Sequence, residues 1–349
     1  MNQAPSTRQL LQAFLAQPQD PRLGLFAGEA LYRDGHSEAA VALWSLADDA
    51  DPRVRRLSQV ANAPEQAREV SDRADRACRE FFTALHRQAV DEFQGDSHAA
   101  VQRVGDAIWP MTHDAPFEWQ TELQQPVIFY LPDLPALPVT PNAQLHWAQP
   151  VAAAWGEILE EYQRAMSAQI NLAPYVPEAT RDPRWQTLRG TLDWSAIHLY
   201  REGQRTAHAD AFPRTLAALE QADLVRVNGA PMEIFFSRLT PGAHIPPHFG
   251  LTNTRLTTHL PLVVPDNCAI RVGSETHHWQ QGVIIAFDDS FEHEAWNRSD
   301  SDRVVLIFET HHPDLSEAER AAIESAYAAR HQWLGGRRHL LEQLLADLG

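Results

Sequence analysis

Two histidines and one arginine stand out among the residues able to do chemistry. His248 lies in Pro246-Pro247-His248-Phe249-Gly250, and His293 ends Phe287-Asp288-Asp289-Ser290-Phe291-Glu292-His293. They are 45 positions apart, and Arg303 follows ten positions later. A neutral imidazole is a good ligand for Fe(II), and a guanidinium grips a carboxylate through two parallel N–H···O bonds. The pattern therefore reads as a two-histidine metal site with a carboxylate-binding arginine nearby. The chain carries 17 histidines, and most histidines in any protein are surface or structural residues. His311 and His312, just before Pro313, are read as structural for that reason. The Asp288-Asp289 pair is not read as an acid/base couple, because adjacent residues on a strand point to opposite faces. Turn hydrogen bonds and support of the ligands are its expected work.

Such residues need a scaffold. Short apolar runs at 233–239, 259–264, 269–272, 283–287 and 304–308 are separated by Pro-Gly, Pro-Asp-Asn, Gln-Gly and Asn-Arg-Ser turn chemistry. That is the texture of an antiparallel sandwich or barrel. Ahead of it, the first ~105 residues show helical apolar spacing, with a capping box at Ser6-Thr7-Arg8-Gln9 and a hairpin-like pair of short helices broken at Asp34-Gly35. A further helix is predicted after Asp51-Pro52 and a long one from Pro64 to about Phe93. The hairpin resembles a single tetratricopeptide unit, with no second clean copy. A proline-rich extended stretch (125–150) and a helix through Trp155, Ile158, Leu159, Tyr162 and Met166 lead into the β region. The chain from Leu315 to Leu348 returns to helix. The fold class is thus α+β: a double-stranded β-helix (jelly-roll, cupin-like) barrel with flanking helices and an N-terminal all-α, tetratricopeptide-like region. Two domains are expected, a helical one over 1–105 and a barrel with C-terminal helices over 106–349.

Composition removes other readings. The 349 residues hold 46 acidic side chains against 29 basic ones, all arginine, for a formal net charge of −17. A phosphate backbone would repel such a surface, so nucleic acid is not an expected partner. Without lysine there is no Schiff-base chemistry and no phosphate-loop lysine. Two distant cysteines, Cys78 and Cys268, fit a reducing compartment, and no stretch reads as a leader or membrane span. A cytoplasmic protein with no membrane partner is expected.

In a double-stranded β-helix, the spacing puts both imidazoles at one mouth of the barrel and the arginine deeper, on a strand alongside. That is the ground plan of non-haem iron oxygenases using 2-oxoglutarate, with one departure. The usual carboxylate two residues after the first histidine is Gly250. The text from Pro241 to Gly250 (Pro-Gly-x-His-x-x-Pro-His-x-Gly), Thr252-Asn253, Arg255, His259-Leu260, Trp279-x-x-Gly282, Phe287 to Glu294, Trp296-Asn297, Arg303 and His312-Pro313-x-Leu315-Ser316 resembles the aspartyl/asparaginyl β-hydroxylase family. The resemblance extends more weakly over 115–320. It implies a two-histidine Fe(II) site in His248 and His293. It further implies 2-oxoglutarate held by Arg303 and Ser237 and lined by His259 and Trp194, O2 as co-reactant, and Arg255 near a substrate carboxylate. A family arginine two residues after Arg255 is Thr257 here, which weakens selection for an acidic side chain. The activity so implied is a dioxygenase hydroxylating an unactivated C–H of an Asp/Asn-type or other side chain, with a protein or peptide favoured over a small molecule. The alternatives are a non-catalytic adaptor with a degenerate barrel, a cupin-type metalloenzyme without 2-oxoglutarate, and a hydroxylase of a small metabolite.

Overall fold

The computed structural model describes residues 5–93 and 98–348, and its internal contacts divide them into two compact units. One runs to Phe117 and takes in the chain from Ala318 onward; the other is Glu118–Glu317. Among the described residues no helix is long and apolar enough to cross a membrane.

The helical unit is built from α1 (Thr7–Ala16), α2 (Pro21–Arg33), α3 (Ser37–Ala50), α4 (Glu65–Asp91) and α5 (His98–Gly105), with the C-terminal helix Glu317–Asp347 entering it at Ala318. The Ser6 capping box forms as expected, its hydroxyl accepting from the Gln9 amide while the Gln9 side chain accepts from the Ser6 amide. Asp20 caps α2, where Pro21 sits in the first turn. The α2–α3 hairpin closes tightly because Gly28 has no Cβ; one built there would collide with the Trp44 indole, whose N–H donates to the Leu25 carbonyl at 3.0 Å. The helix expected after Pro52 is instead two 3-10 turns, Pro52–Arg55 and Leu57–Gln59. The structure gives this hairpin no repeated neighbour, so the tetratricopeptide likeness is not carried further.

The domain division differs from 1–105 against 106–349. Leu341, fully buried, with Trp333, Leu334 and Leu344 beside it, joins the apolar cluster of Leu25, Leu31, Leu43, Trp44 and Phe82. Arg103 also pairs with Glu319 at 2.6 Å. An amphipathic helix goes where its apolar stripe is covered, whatever its sequence neighbours.

The second unit is a double-stranded β-helix. Its strands are β1 (Trp194–Arg201), β2 (Ile234–Leu239), β3 (His244–His248), β4 (Arg255–Val263), β5 (Cys268–Val272), β6 (Glu275–His278), β7 (Ile285–Phe287), β8 (His293–Asn297) and β9 (Arg303–His311). One sheet runs β7-β4-β9-β2-β1, flanked by the short strands Val139–Thr140 and Ala173–Pro174; the other runs β6-β5-β8-β3, and all pairings are antiparallel. Alternation along β9 explains its continuous apolar run. Val304, Leu306 and Phe308 pack outward against α6 (Ala148–Ala153), α7 (Trp155–Ser167) and α8 (Pro213–Leu219), while Val305 and Ile307 join the core between the sheets. A sheet covered on both faces needs apolar residues at every position.

Three strands carry no apolar signal. β3 (His-Ile-Pro-Pro-His), β6 (Glu-Thr-His-His) and most of β8 (His-Glu-Ala-Trp-Asn) are polar or proline-bearing. β3 is an edge strand, where proline's missing N–H costs no ladder bond on the open side.

Candidate metal and carboxylate site

His248 ends β3 and His293 opens β8, and these two residues are directly opposite each other in the antiparallel pairing. The rings are 4.1 Å apart between centroids. Each Nδ1 lies close to the carbonyl two residues earlier, Pro246 at 2.8 Å for His248 and Phe291 at 3.0 Å for His293. Nδ1–H must donate to such an oxygen, which leaves the lone pair on Nε2, the tautomer a metal ligand needs. Burial keeps both rings uncharged. It pulls His248 down to about 3, helped by the neighbouring His293, and His293 down to about 4. Trp185 packs edge-on to His248 at 5.0 Å and Phe287 to His293 at 5.5 Å.

Gly250 has a steric task. A Cβ there would collide with the carboxylate of Asp289, and the Gly250 amide donates to the Asp289 carbonyl at 2.6 Å. The space beside the histidines that a residue-250 side chain would use is therefore filled by Asp289. One of its oxygens accepts from Thr257 at 3.0 Å, and the other is buried without a hydrogen-bond partner. Asp288 points elsewhere, accepting from the Ser290 amide and hydroxyl and from Gln124 at 2.6 Å. Burial pushes its carboxyl up to about 7. The pair thus divides, one residue tying the turn and one facing the histidines. It lies in the turn just after β7 and not on a strand, so the turn and not strand alternation sets the two directions. Gly250→Ala is expected to displace Asp289 and to cost ~1–3 kcal/mol as an overpacking change, read from the denaturant midpoint. An unchanged midpoint would show that Asp289 has room to move.

Arg303 is 1 % exposed, and no carboxylate pairs with it among the described residues. Its Nη1 lies 3.4 Å from the Ser237 hydroxyl, its guanidinium carbon stands 4.8 Å from the Trp279 ring centre, and its Nε is buried with no acceptor. Burial lowers its pKa to about 10, which leaves it charged at neutral pH. An unpaired buried cation is costly, so this pocket is built for an anion. Ser237 takes the Trp194 indole N–H at 3.1 Å, and Trp194 stacks on Tyr175 at 3.9 Å. His259, held neutral by burial and by Arg303, packs against Phe287 and Trp279, and its Nδ1 has no partner. The residues singled out in the sequence therefore fall into two adjoining groups, the His248–His293 pair and the Arg303–Ser237–Trp194–His259 pocket.

Arg255 is the exception. Its Nη1 forms an ion pair with Glu309 Oε2 at 3.1 Å, both side chains being only about one-tenth exposed. Sequence reasoning passed over Glu309 and Trp185, and gave Trp279 no role beyond its place in a motif. For Glu309 a signal existed: it shares the alternation of Arg303, Val305 and Ile307, so an acidic residue was bound to face the barrel interior.

Among the described residues no three His, Cys, Asp or Glu side chains gather into a metal site. The groups that could hold a metal are the two facing imidazoles, with the Asp289 carboxylate near them filling the space at Gly250. Together with the strand order, this defines a double-stranded β-helix with a two-histidine centre and an adjoining carboxylate pocket. Residues 152–313, somewhat less than half of the chain, match the family model described as aspartyl/asparaginyl beta-hydroxylase. The match is narrower than the resemblance expected over 115–320. The chain is 38% identical over 144 residues to aspartyl/asparaginyl beta-hydroxylase of Mus musculus, covering 40% of this chain and 19% of that protein. It is 32% identical over 214 residues to aspartate beta-hydroxylase domain-containing protein 2 of Xenopus tropicalis, covering 59% and 55%. It is also 34% identical over 185 residues to ornithine lipid ester-linked acyl 2-hydroxylase of Rhizobium tropici, covering 52% and 63%. The chain thus spans between a fifth and less than two thirds of the length of these relatives.

Proposed function

We propose that this chain is an Fe(II)- and 2-oxoglutarate-dependent dioxygenase that hydroxylates an unactivated C–H of a side chain in a protein or peptide. The observation that carries the reading is Arg303, a buried cation with no carboxylate partner among the described residues, adjoining two part-buried imidazoles whose Nε2 atoms carry the lone pair. His248 and His293 would hold Fe(II), and Arg303 with Ser237 would take the distal carboxylate of 2-oxoglutarate. When bound, iron and cosubstrate supply oxidative decarboxylation to succinate and CO2, one oxygen atom of O2 entering succinate and the other the substrate. The protein's share is position and dryness. Pro246 and Phe291 fix the imidazole tautomers, and Gly250 lets Asp289 stand beside the ligands. Trp194, Trp279 and His259 wall the carboxylate pocket from water.

A second reading concerns the substrate. Leu123, Val127, Ile128 and Leu251 are exposed large apolar residues. They lie on neighbouring segments, where the Val127 amide donates to Gly250, the Ile128 amide to Leu251, and the Glu292 amide to Leu123. An apolar rim next to the residues flanking both histidines suits an acyl chain, and one relative is named for an acyl 2-hydroxylase of a lipid. Incubation with Fe(II), 2-oxoglutarate and either a tryptic peptide pool or a total lipid extract separates these. Succinate release with a matching gain of one oxygen atom in a peptide supports the first reading. The same gain in an acyl chain supports the second, and neither gain removes the dioxygenase assignment.

A further inference from the structure

We infer that Glu309 sets the charge preference of the substrate cavity and makes it a site for a cationic group rather than an acidic one. The inference rests on the dioxygenase reading only in taking this cavity as the place where substrate lies.

The charges can be followed strand by strand. Thr257 on β4 and Glu309 on β9 are partners in the antiparallel ladder, as are Arg255 and His311. Glu309 reaches diagonally to Arg255, and the 3.1 Å ion pair engages that guanidinium inside the protein. Thr257 donates to Asp289, whose second oxygen is buried with no partner. Glu233, just before β2, lies 3.6 Å from His198 on β1 and accepts from the Glu202 amide at 2.9 Å.

Among the described residues, Glu309, Asp289 and Glu233 thus stand around Arg255, whose guanidinium is already paired with Glu309, while His198 faces Glu233. The crowding is visible at Glu309, whose carboxyl is pushed up to about 7 by burial and by Asp289 and Glu233, against the pull of Arg255. An incoming carboxylate would meet like charge and would have to break the Arg255–Glu309 pair. An incoming ammonium or guanidinium would meet the unpartnered oxygen of Asp289 and relieve the repulsion. A cation can come from a basic side chain or from an amino headgroup, and the test separates them.

Calorimetric titration of the full chain uses two probe pairs. One is acetyl-Ala-Arg-Ala-amide against acetyl-Ala-Asp-Ala-amide; the other is decylamine against decanoate, below micelle formation. Each is run metal-free and again anaerobically with Fe(II) and 2-oxoglutarate. The cationic member of at least one pair is expected to bind ~10-fold or more tighter than its anionic partner, and that pair identifies the source. Glu309→Gln should shrink the ratio to less than ~3-fold by releasing Arg255, while Glu309→Asp should keep it. Thr257→Arg, which leaves Glu309 in place, should also shrink it. A smaller preference in both pairs, or a ratio that survives both Glu309→Gln and Thr257→Arg, overturns the inference. Failure of iron or 2-oxoglutarate to bind while the preference stands would count against the dioxygenase reading alone.

Discussion

His248→Ala and His293→Ala are each expected to abolish Fe(II) binding and all 2-oxoglutarate consumption. With only two imidazoles facing each other at 4.1 Å and no third His, Cys, Asp or Glu ligand gathered with them among the described residues, the loss of one leaves a single protein donor. That loss exceeds the ~10–100-fold that follows from removing a group that merely orients a ligand. The fold should survive, because the hydrogen bonds of each ring go to backbone carbonyls a few residues back, and the ladder between β3 and β8 is made by backbone. The check is anaerobic iron titration followed by succinate release, with thermal unfolding as a control on folding. Unchanged iron affinity in both variants would show that the metal, if bound, sits elsewhere.

Arg303→Ala is expected to raise the Michaelis constant for 2-oxoglutarate at least ~30-fold, the equivalent of ~2 kcal/mol for a charge-assisted pair. The estimate is a lower bound, since the guanidinium is buried against Trp279 and Ser237 and screening there is weak. Arg303→Lys does not rescue it, because an ammonium cannot form the planar fork or keep the guanidinium's place beside the indole. Steady-state kinetics against 2-oxoglutarate decide the matter. Equal Michaelis constants in wild type and Arg303→Ala would remove the cosubstrate and favour a cupin-type metalloenzyme.

Much of the barrel was legible because its covered sheet is apolar on both faces. The runs at 233–239, 259–264 and 304–308 mark β2, β4 and β9 to within a few residues. The second sheet, apart from β5 under the run 269–272, was not legible in that way. β3, β6 and β8 carry histidines, glutamates and prolines, and they are strands because the chain between the apolar runs must cross back over the barrel. The two histidines were nevertheless found, since their motif and their spacing to Arg303 do not depend on knowing that they begin and end strands. The C-terminal helix was visible as a helix but not as part of the first unit, because periodicity shows that a face needs covering and does not show what covers it.

By itself, then, the sequence determined which groups are available: two imidazoles, one arginine for an anion, a glycine where a carboxylate is usual, and no lysine at all. It also determined the barrel class and the family resemblance, which are carried by local patterns and short motifs. Only the tertiary structure decided which charges meet. It paired Arg255 with Glu309 across two strands, set Asp289 into the space left by Gly250, and left Arg303 without a carboxylate. These are contacts between residues 39 to 54 positions apart, or the absence of one. Charge falls off with distance in space and takes no account of distance along the chain, so the site's electrostatics exist only once the strands are in register.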